Sequence, residues 1–148
     1  MIPPLAVDGP SVSIRRFAGI RPDADELVRR GTFDDGLLAL LRDAVRSGQN
    51  LLISGGTGSG KTTVLNALSG FIGTGERVVT IEETGELHLE GTLPDCVALQ
   101  ARLPNVEGIG AFPIRSLVKN ALRMRPTRII VGEVRGAEAL DMLAAMNS

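Results

Sequence analysis

The sequence has no tryptophan, no tyrosine and only four phenylalanines. Surfaces that stack single-stranded bases are built from aromatic rings, so that kind of binding is poorly supplied. Excess charge is also missing: 16 basic against 17 acidic residues leave a net charge of −1. Without a basic excess there is no electrostatic case for nucleic acid, and no nucleic-acid partner is expected. Cys96 stands alone. It cannot form an internal disulfide, fits a reducing compartment and reads as a small buried hydrophobe. His88, between Leu87 and Leu89, has no second His or Cys to share a metal and reads as structural. No apolar run approaches the roughly 18 residues of a membrane span, and the N-terminus lacks a basic segment followed by an apolar one. These absences make a soluble, cytoplasmic protein the expectation.

What is present is concentrated in one stretch. Across 148 residues, of which 43% are hydrophobic, one core can form. Residues 51–63 read Leu-Leu-Ile-Ser-Gly-Gly-Thr-Gly-Ser-Gly-Lys-Thr-Thr, and Gly55 to Thr62 fits Gly-x-x-x-x-Gly-Lys-[Ser/Thr] without a mismatch. The run Asn50 to Ser54 reads as a buried strand and Thr63 to Leu68 as a helix, the order a phosphate loop requires. Glycines let backbone amides turn inward, and the helix adds unpaired N–H groups and the positive end of its dipole. Gly55, Gly56, Thr57, Gly58, Ser59, Gly60, Lys61, Thr62 and Thr63 are therefore the expected polyphosphate cradle. Lys61 supplies charge to the β- and γ-phosphates, and the Thr62 hydroxyl suits the Mg²⁺ that bridges them. ATP with Mg²⁺ is the expected ligand pair. No Asn-Lys-x-Asp guanine-reading motif occurs.

The remaining elements follow from periodicity and punctuation. Met1 to Pro10 reads as an extended connection, and Ser11 to Arg15 alternates like a short strand ending at Arg16-Phe17. Asp23 to Arg30 has acids first, bases last and Gly31 behind them, a polarised helix. Thr32 with Asp35 suggests a capping box opening a second helix through Ser47, with Leu37, Leu38, Leu41, Ala44 and Val45 on its apolar face. Arg77 to Ile81 reads as a buried strand ending in Glu82-Glu83, and Cys96 to Leu103 as a third strand. Ile114 to Met124 is helical in pattern up to Pro126, and Gly136 to Asn147 is a last helix with Leu140, Leu143, Ala144 and Ala145 apolar. Between them, Arg128 to Glu133 carries three consecutive β-branched residues and ends in an acid, a Walker B-like strand with Gly132 where an Asp is common. Ligands of parallel α/β sheets sit at the carboxyl ends of strands, so Glu82, Glu83 and Glu133 are expected on the phosphate-loop side.

Ile14 to Phe17, Asn50 to Leu68, Thr80 to Leu87 and, above all, Ala121 to Pro126 with Val131 to Gly136 resemble the type II/IV secretion-system ATPase superfamily (VirB11/GspE-like). Within it the resemblance is closest to the CpaF-like ATPases of tight-adherence (Tad) pilus assembly. It implies an α/β fold with a RecA-like phosphate-loop NTPase core, a parallel sheet flanked by helices, incomplete at the C-terminal end. Residues 1–31 would be the end of an N-terminal domain with its linker, and 32–148 a partial motor domain whose His-containing box and further strands follow Asn147. It also implies a homo-hexamer at the cytoplasmic face of the inner membrane, working on platform proteins of a secretion or pilus machine. Catalytic roles would fall to Glu133, Glu82 and Glu83, with Arg15, Arg16 and Arg102 neutralising charge on the γ-phosphate; metal contacts would fall to Thr62, Glu83 and Glu133. The acidic box usually reads Glu-Asp and here reads Glu82-Glu83. Two other readings stay open: a nucleotide-binding piece without turnover, and a phosphate-loop kinase with Arg123, Arg125 and Arg128 as its lid.

Overall fold

The computed structural model describes residues 1–14, 22–87, 89 and 91–147. Arg15, Arg16 and His88 lie outside them. The described elements are α1 (Ala24–Arg29), α2 (Asp35–Arg46), α3 (Lys61–Ser69), β1 (Val78–Glu82), β2 (Cys96–Gln100), α4 (Ile114–Ala121) with a 3-10 turn (Leu122–Met124), β3 (Arg128–Val131) and α5 (Glu138–Ala145). The three strands form one parallel sheet in the order β2-β1-β3, with Val78 level with both Cys96 and Arg128. This is the α/β architecture expected, a parallel sheet with helices around it; β2 connects to β3 through α4, whereas no helix is described between β1 and β2. None of these helices is long and apolar enough to cross a membrane.

The central strand explains the layering. β1 is buried along its whole length, and alternate residues of a strand face opposite sides. Val78 joins Leu68, Ile72, Val45 and Ile130 on the α2/α3 side, while Val79 and Ile81 join Leu117, Val118 and Ala121 of α4 on the other. Burying each of these aliphatic side chains is worth about 1.5–3 kcal/mol. α1 and α2 pack onto α3 through Ala24, Leu27, Leu38 and Ala67. Both ends of the α1–α2 pair are closed by local chemistry. Gly31 and Gly48 take positive φ, and the bonds Thr32 N–H to Leu27 O and Gln49 N–H to Ala44 O complete Schellman motifs.

Several expectations need correction. Asn50 to Ser54 forms no strand; Leu52 is 71% exposed, and the segment runs past β3 without a ladder. Apolar character favours an extended chain, but a ladder also needs a neighbouring edge in register, and Asn50 instead donates its side-chain amide to Met146 O at 2.7 Å. Ser11 to Ile14 is likewise irregular and exposed, with Met1 and Ser11 exchanging backbone bonds. The N-cap of α2 is Asp34, whose carboxylate accepts from Leu37 N–H at 2.7 Å, because Thr32 is already part of the α1 terminus. Leu37 is exposed and so falls off the α2 core face. On α5, Leu140 and Leu143 point to solvent; Ala145 packs against the α4 cluster, and Asp141 pairs with Arg115 and Lys119 of α4.

Candidate functional site

The phosphate-loop residues turn where glycine is needed. Gly58 and Gly60 hold φ of 78° and 90°, conformations in which a side chain would be strained, and Gly60 is the N-cap of α3. The first helical bond of α3 runs from Val64 N–H to Gly60 O, so the amides just before it have no acceptor within the helix. They form the open end of a dipole. The loop also closes on itself: Ser59 N–H donates to Gly56 O, and Lys61 Nζ donates to the same carbonyl at 2.7 Å.

Opposite the loop lie the carboxyl ends of β1 and β3. An open cavity of about 1590 Å³ is lined by Gly55, Gly56, Thr57, Gly58, Gly60, Lys61, Thr62 and Thr63 on one side and by Glu82, Glu83 and Glu133 on the other. That volume exceeds the roughly 300–1,000 Å³ of a small-molecule pocket, because it includes the gap between residues 50–54 and β3. Arg102 does not line it; this residue is exposed and forms an antiparallel bridge with Phe112 beyond the end of β2.

The three acids stand in different surroundings. Glu82 is 6% exposed, and its Oε1 accepts N–H bonds from Glu86 and Leu87, each at 3.0 Å. Glu83 is exposed, with its backbone carbonyl taken by the Gln100 side-chain amide. Glu133 is half-buried and pairs with Arg135, Oε2 to the guanidinium at 2.6 Å. No group of three or more His, Cys, Asp or Glu among the described residues is placed to hold a metal. That fits Mg²⁺, which is ordinarily held by one or two carboxylates plus substrate phosphates and water. Thr62, Glu83 and Glu133 all line the same cavity.

Three positions carry geometry that motif reading left without a role. Arg135 holds Glu133. Glu138 accepts from Arg135 N–H and Gly136 N–H at 2.8 and 2.7 Å, and these amides, with its own, hold its carboxyl below the ordinary carboxylate range. Its sequence signal was an acid in the first turn of a helix. Asn66 donates from Nδ2 to Thr62 O within α3 and to Glu86 O across to the acidic turn; a lone Asn on a helix gives no such signal.

A glycine loop opening a helix, set against acids at the ends of parallel strands, defines a phosphate-loop α/β protein. The chain belongs to the type II/IV secretion system protein family, whose sequence model matches residues 2–148. It is 45% identical over its whole length to a putative conjugal transfer protein of Mycobacterium tuberculosis, of which it spans 42%. Over 81% of the chain it is 47% identical to the type IV secretion system protein PtlH of Bordetella pertussis, covering 34% of that protein. The fold is similar to the VirB11 ATPase of the Brucella suis type IV secretion system, solved in complex with sulphate, with a TM-score of 0.63 and 31% identity over 92% of this chain and 44% of that one. The chain thus spans less than half the length of the curated relatives it matches.

Proposed function

We propose that the chain carries the nucleotide site of an ATP-hydrolysing motor subunit that powers secretion or pilus assembly. The observation that supports this most is the cleft lined together by Gly55–Gly58, Gly60–Thr63, Glu83 and Glu133. In this reading the loop amides and the α3 dipole hold the phosphates, and Lys61 leaves Gly56 O for them. Thr62, Glu83 and Glu133 would hold Mg²⁺, which would supply charge neutralisation on the phosphates. Glu133 accepts a hydrogen bond from the attacking water and takes its proton. Arg135, paired with Glu133 at rest, is freed toward the phosphate end of the cleft as charge develops there. Arg15 and Arg16 are proposed to act on the same charge from the N-terminal side. Arg102 is proposed to do so across a subunit boundary, since it is exposed and does not line this chain's own cleft.

The wider reading extends the family. Residues 1–31 are taken as the end of an N-terminal domain with its linker, and 32–148 as part of the motor. Six such subunits would work at the cytoplasmic face of the inner membrane on platform proteins. Placement in the Tad group rests on the runs Ala121 to Pro126 and Val131 to Gly136; the relatives named above carry conjugal-transfer and type IV secretion names instead. Phosphate release by a full-length parent tests the central claim: turnover that persists undiminished in Glu133→Gln would remove that residue from its role.

A second reading, nucleotide binding without turnover, is favoured for these 148 residues alone by the resting contacts. Lys61 is tied to Gly56 O and Glu133 to Arg135. Nucleotide affinity measured beside phosphate release separates the two. The kinase reading has less support, because Arg128 of its supposed lid is bound to Glu76 at the opening of β3, the far end of the strand from Glu133.

A further inference from the structure

The family resemblance gives Glu82 a catalytic role, yet one of its carboxylate oxygens is committed to backbone amides. Oε1 gathers the amides of Glu86 and Leu87 and so fixes the turn that follows β1. The same side chain comes close to Gly132, just beyond the end of β3. A methyl group built at Gly132 would stand 2.9 Å from Glu82 Cγ and 3.2 Å from Oε1. Cγ can move only by turning a buried side chain about χ1, which would draw Oε1 off the Glu86 and Leu87 amides, while Gly132 N–H is fixed to Ile81 O at 2.8 Å. The glycine at the Walker B position is therefore the space that the Glu82 stem fills.

The turn is tied on its other side as well. Asn66 Nδ2 has two hydrogens, and they serve two acceptors: Thr62 O at 3.0 Å and Glu86 O at 3.3 Å. A continuous set of contacts thus runs from Thr62 in the first turn of α3, through Asn66 and the Glu86 backbone, to Glu82 and Gly132, next to Glu133. Asn66, Glu82, Glu86 and Gly132 all line the cleft.

We propose that Glu82 is a positioning residue: with Asn66 as its second tie and Gly132 as the space it requires, it braces the acidic turn 83–87 between the phosphate-loop helix and β3. Glu83 is then the acid of the pair that faces the reacting groups. The proposal rests on the ATP-hydrolysis reading for its catalytic consequence but not for its structural one. A positioning role depends on the acceptor geometry of Oε1, which glutamine keeps; a direct role toward metal or water depends on the charge, which glutamine loses.

The test uses the full-length parent with Glu82→Ala, Glu82→Gln, Asn66→Ala and Gly132→Ala, reading ATP turnover and, without nucleotide, hydrogen exchange at the Glu86 and Leu87 amides. Glu82→Ala and Gly132→Ala should lower kcat by ~10–100-fold with KM for ATP changed far less, since a displacement on the order of 1 Å has that effect. Both should speed exchange at the two amides by roughly 10-fold or more. Glu82→Gln should restore turnover to within a few fold of wild type and leave the exchange slow. Asn66→Ala should give an intermediate loss of both. Glu82→Gln as inactive as Glu82→Ala, with exchange still slow, would overturn the proposal in favour of a charge role. Unchanged exchange in Glu82→Ala would overturn it outright. If Gly132→Ala does not fold, the glutamine and alanine pair at position 82 still decides. A wild-type parent without turnover would sink the hydrolysis reading, while the exchange measurement would go on testing the brace.

Discussion

The acidic wall of the cleft and the phosphate-loop wall are held in place by different forces. Glu82 and Glu133 extend from β1 and β3, strands paired to each other in register, and β1 is buried on both faces. The loop wall has no ladder: residues 50–54 are exposed apart from Ile53, which is half-buried against the α2/α3-side core, and the loop is held by its own glycines and by bonds to Gly56 O. Packing therefore places the acids, while local backbone chemistry shapes the cradle. Damage on one side should read out as lost stability, and on the other as lost ligand.

The largest effects should separate the walls functionally. In a full-length parent, Lys61→Ala should abolish measurable nucleotide binding or turnover, because the loop then loses its only lysine to the phosphates. Glu133→Gln should keep nucleotide binding while lowering kcat by ~10²–10⁴-fold, the usual worth of a positioned base. Parallel affinity and phosphate-release measurements check both; equal loss of binding in the two variants would break the division of roles. Next in size is a test on stability alone. Ile81→Ala empties a fully buried site between β1 and α4 and should destabilise by about 2–5 kcal/mol, whereas Leu52→Ala should change stability by less than about 0.5 kcal/mol. Denaturant midpoints of the two would disagree sharply if the walls differ as described, and would converge if residues 50–54 were packed as a strand.

Much of the acidic wall could be read from residues alone. The β-branched runs at 78–81 and 129–131 announce strands, and their terminal acids fall on the loop side by the rule for parallel sheets. Periodicity tells which side chains favour burial, however, and not which edge will accept them, so the strand expected at 50–54 has no ladder. Side-chain commitments are equally silent: nothing in the order of residues says that Glu82 turns back on its own turn or that Arg135 holds Glu133. Capping shows the same limit on a small scale. Thr32 and Asp34 are both good N-cap residues, and the choice falls to Asp34 because the α1 terminus already uses the Thr32 amide. Asp34→Ala should destabilise by about 0.5–2 kcal/mol and Thr32→Ala by a few tenths at most, as thermal melts would show. The reverse order would restore the capping box at Thr32.

A further small effect belongs to the opposite end of the sheet, where β3 begins. Glu76 grips the Arg128 guanidinium through both carboxylate oxygens, one pair very short and the other 3.1 Å, with both side chains largely covered. The Arg128 hydrogen bond is the main reason that the Glu76 carboxyl is held below its ordinary 4.5. A depressed folded-state value means that the unfolded chain takes up the proton first as pH falls. The pair therefore contributes its full stabilisation above about 4.5 and loses it progressively as pH drops below that toward the folded-state value. For a pair at the rim of a sheet this amounts to about 1 kcal/mol or less. The stability difference between wild type and Glu76→Gln should be constant near neutral pH and shrink below about pH 4.5. A gap that widened on acidification would mean that the carboxylate is strained, not stabilised, by its arginine. Because this pair ties the turn before β1 to the start of β3, its loss should loosen the acidic wall while leaving the local bonds of the phosphate loop untouched.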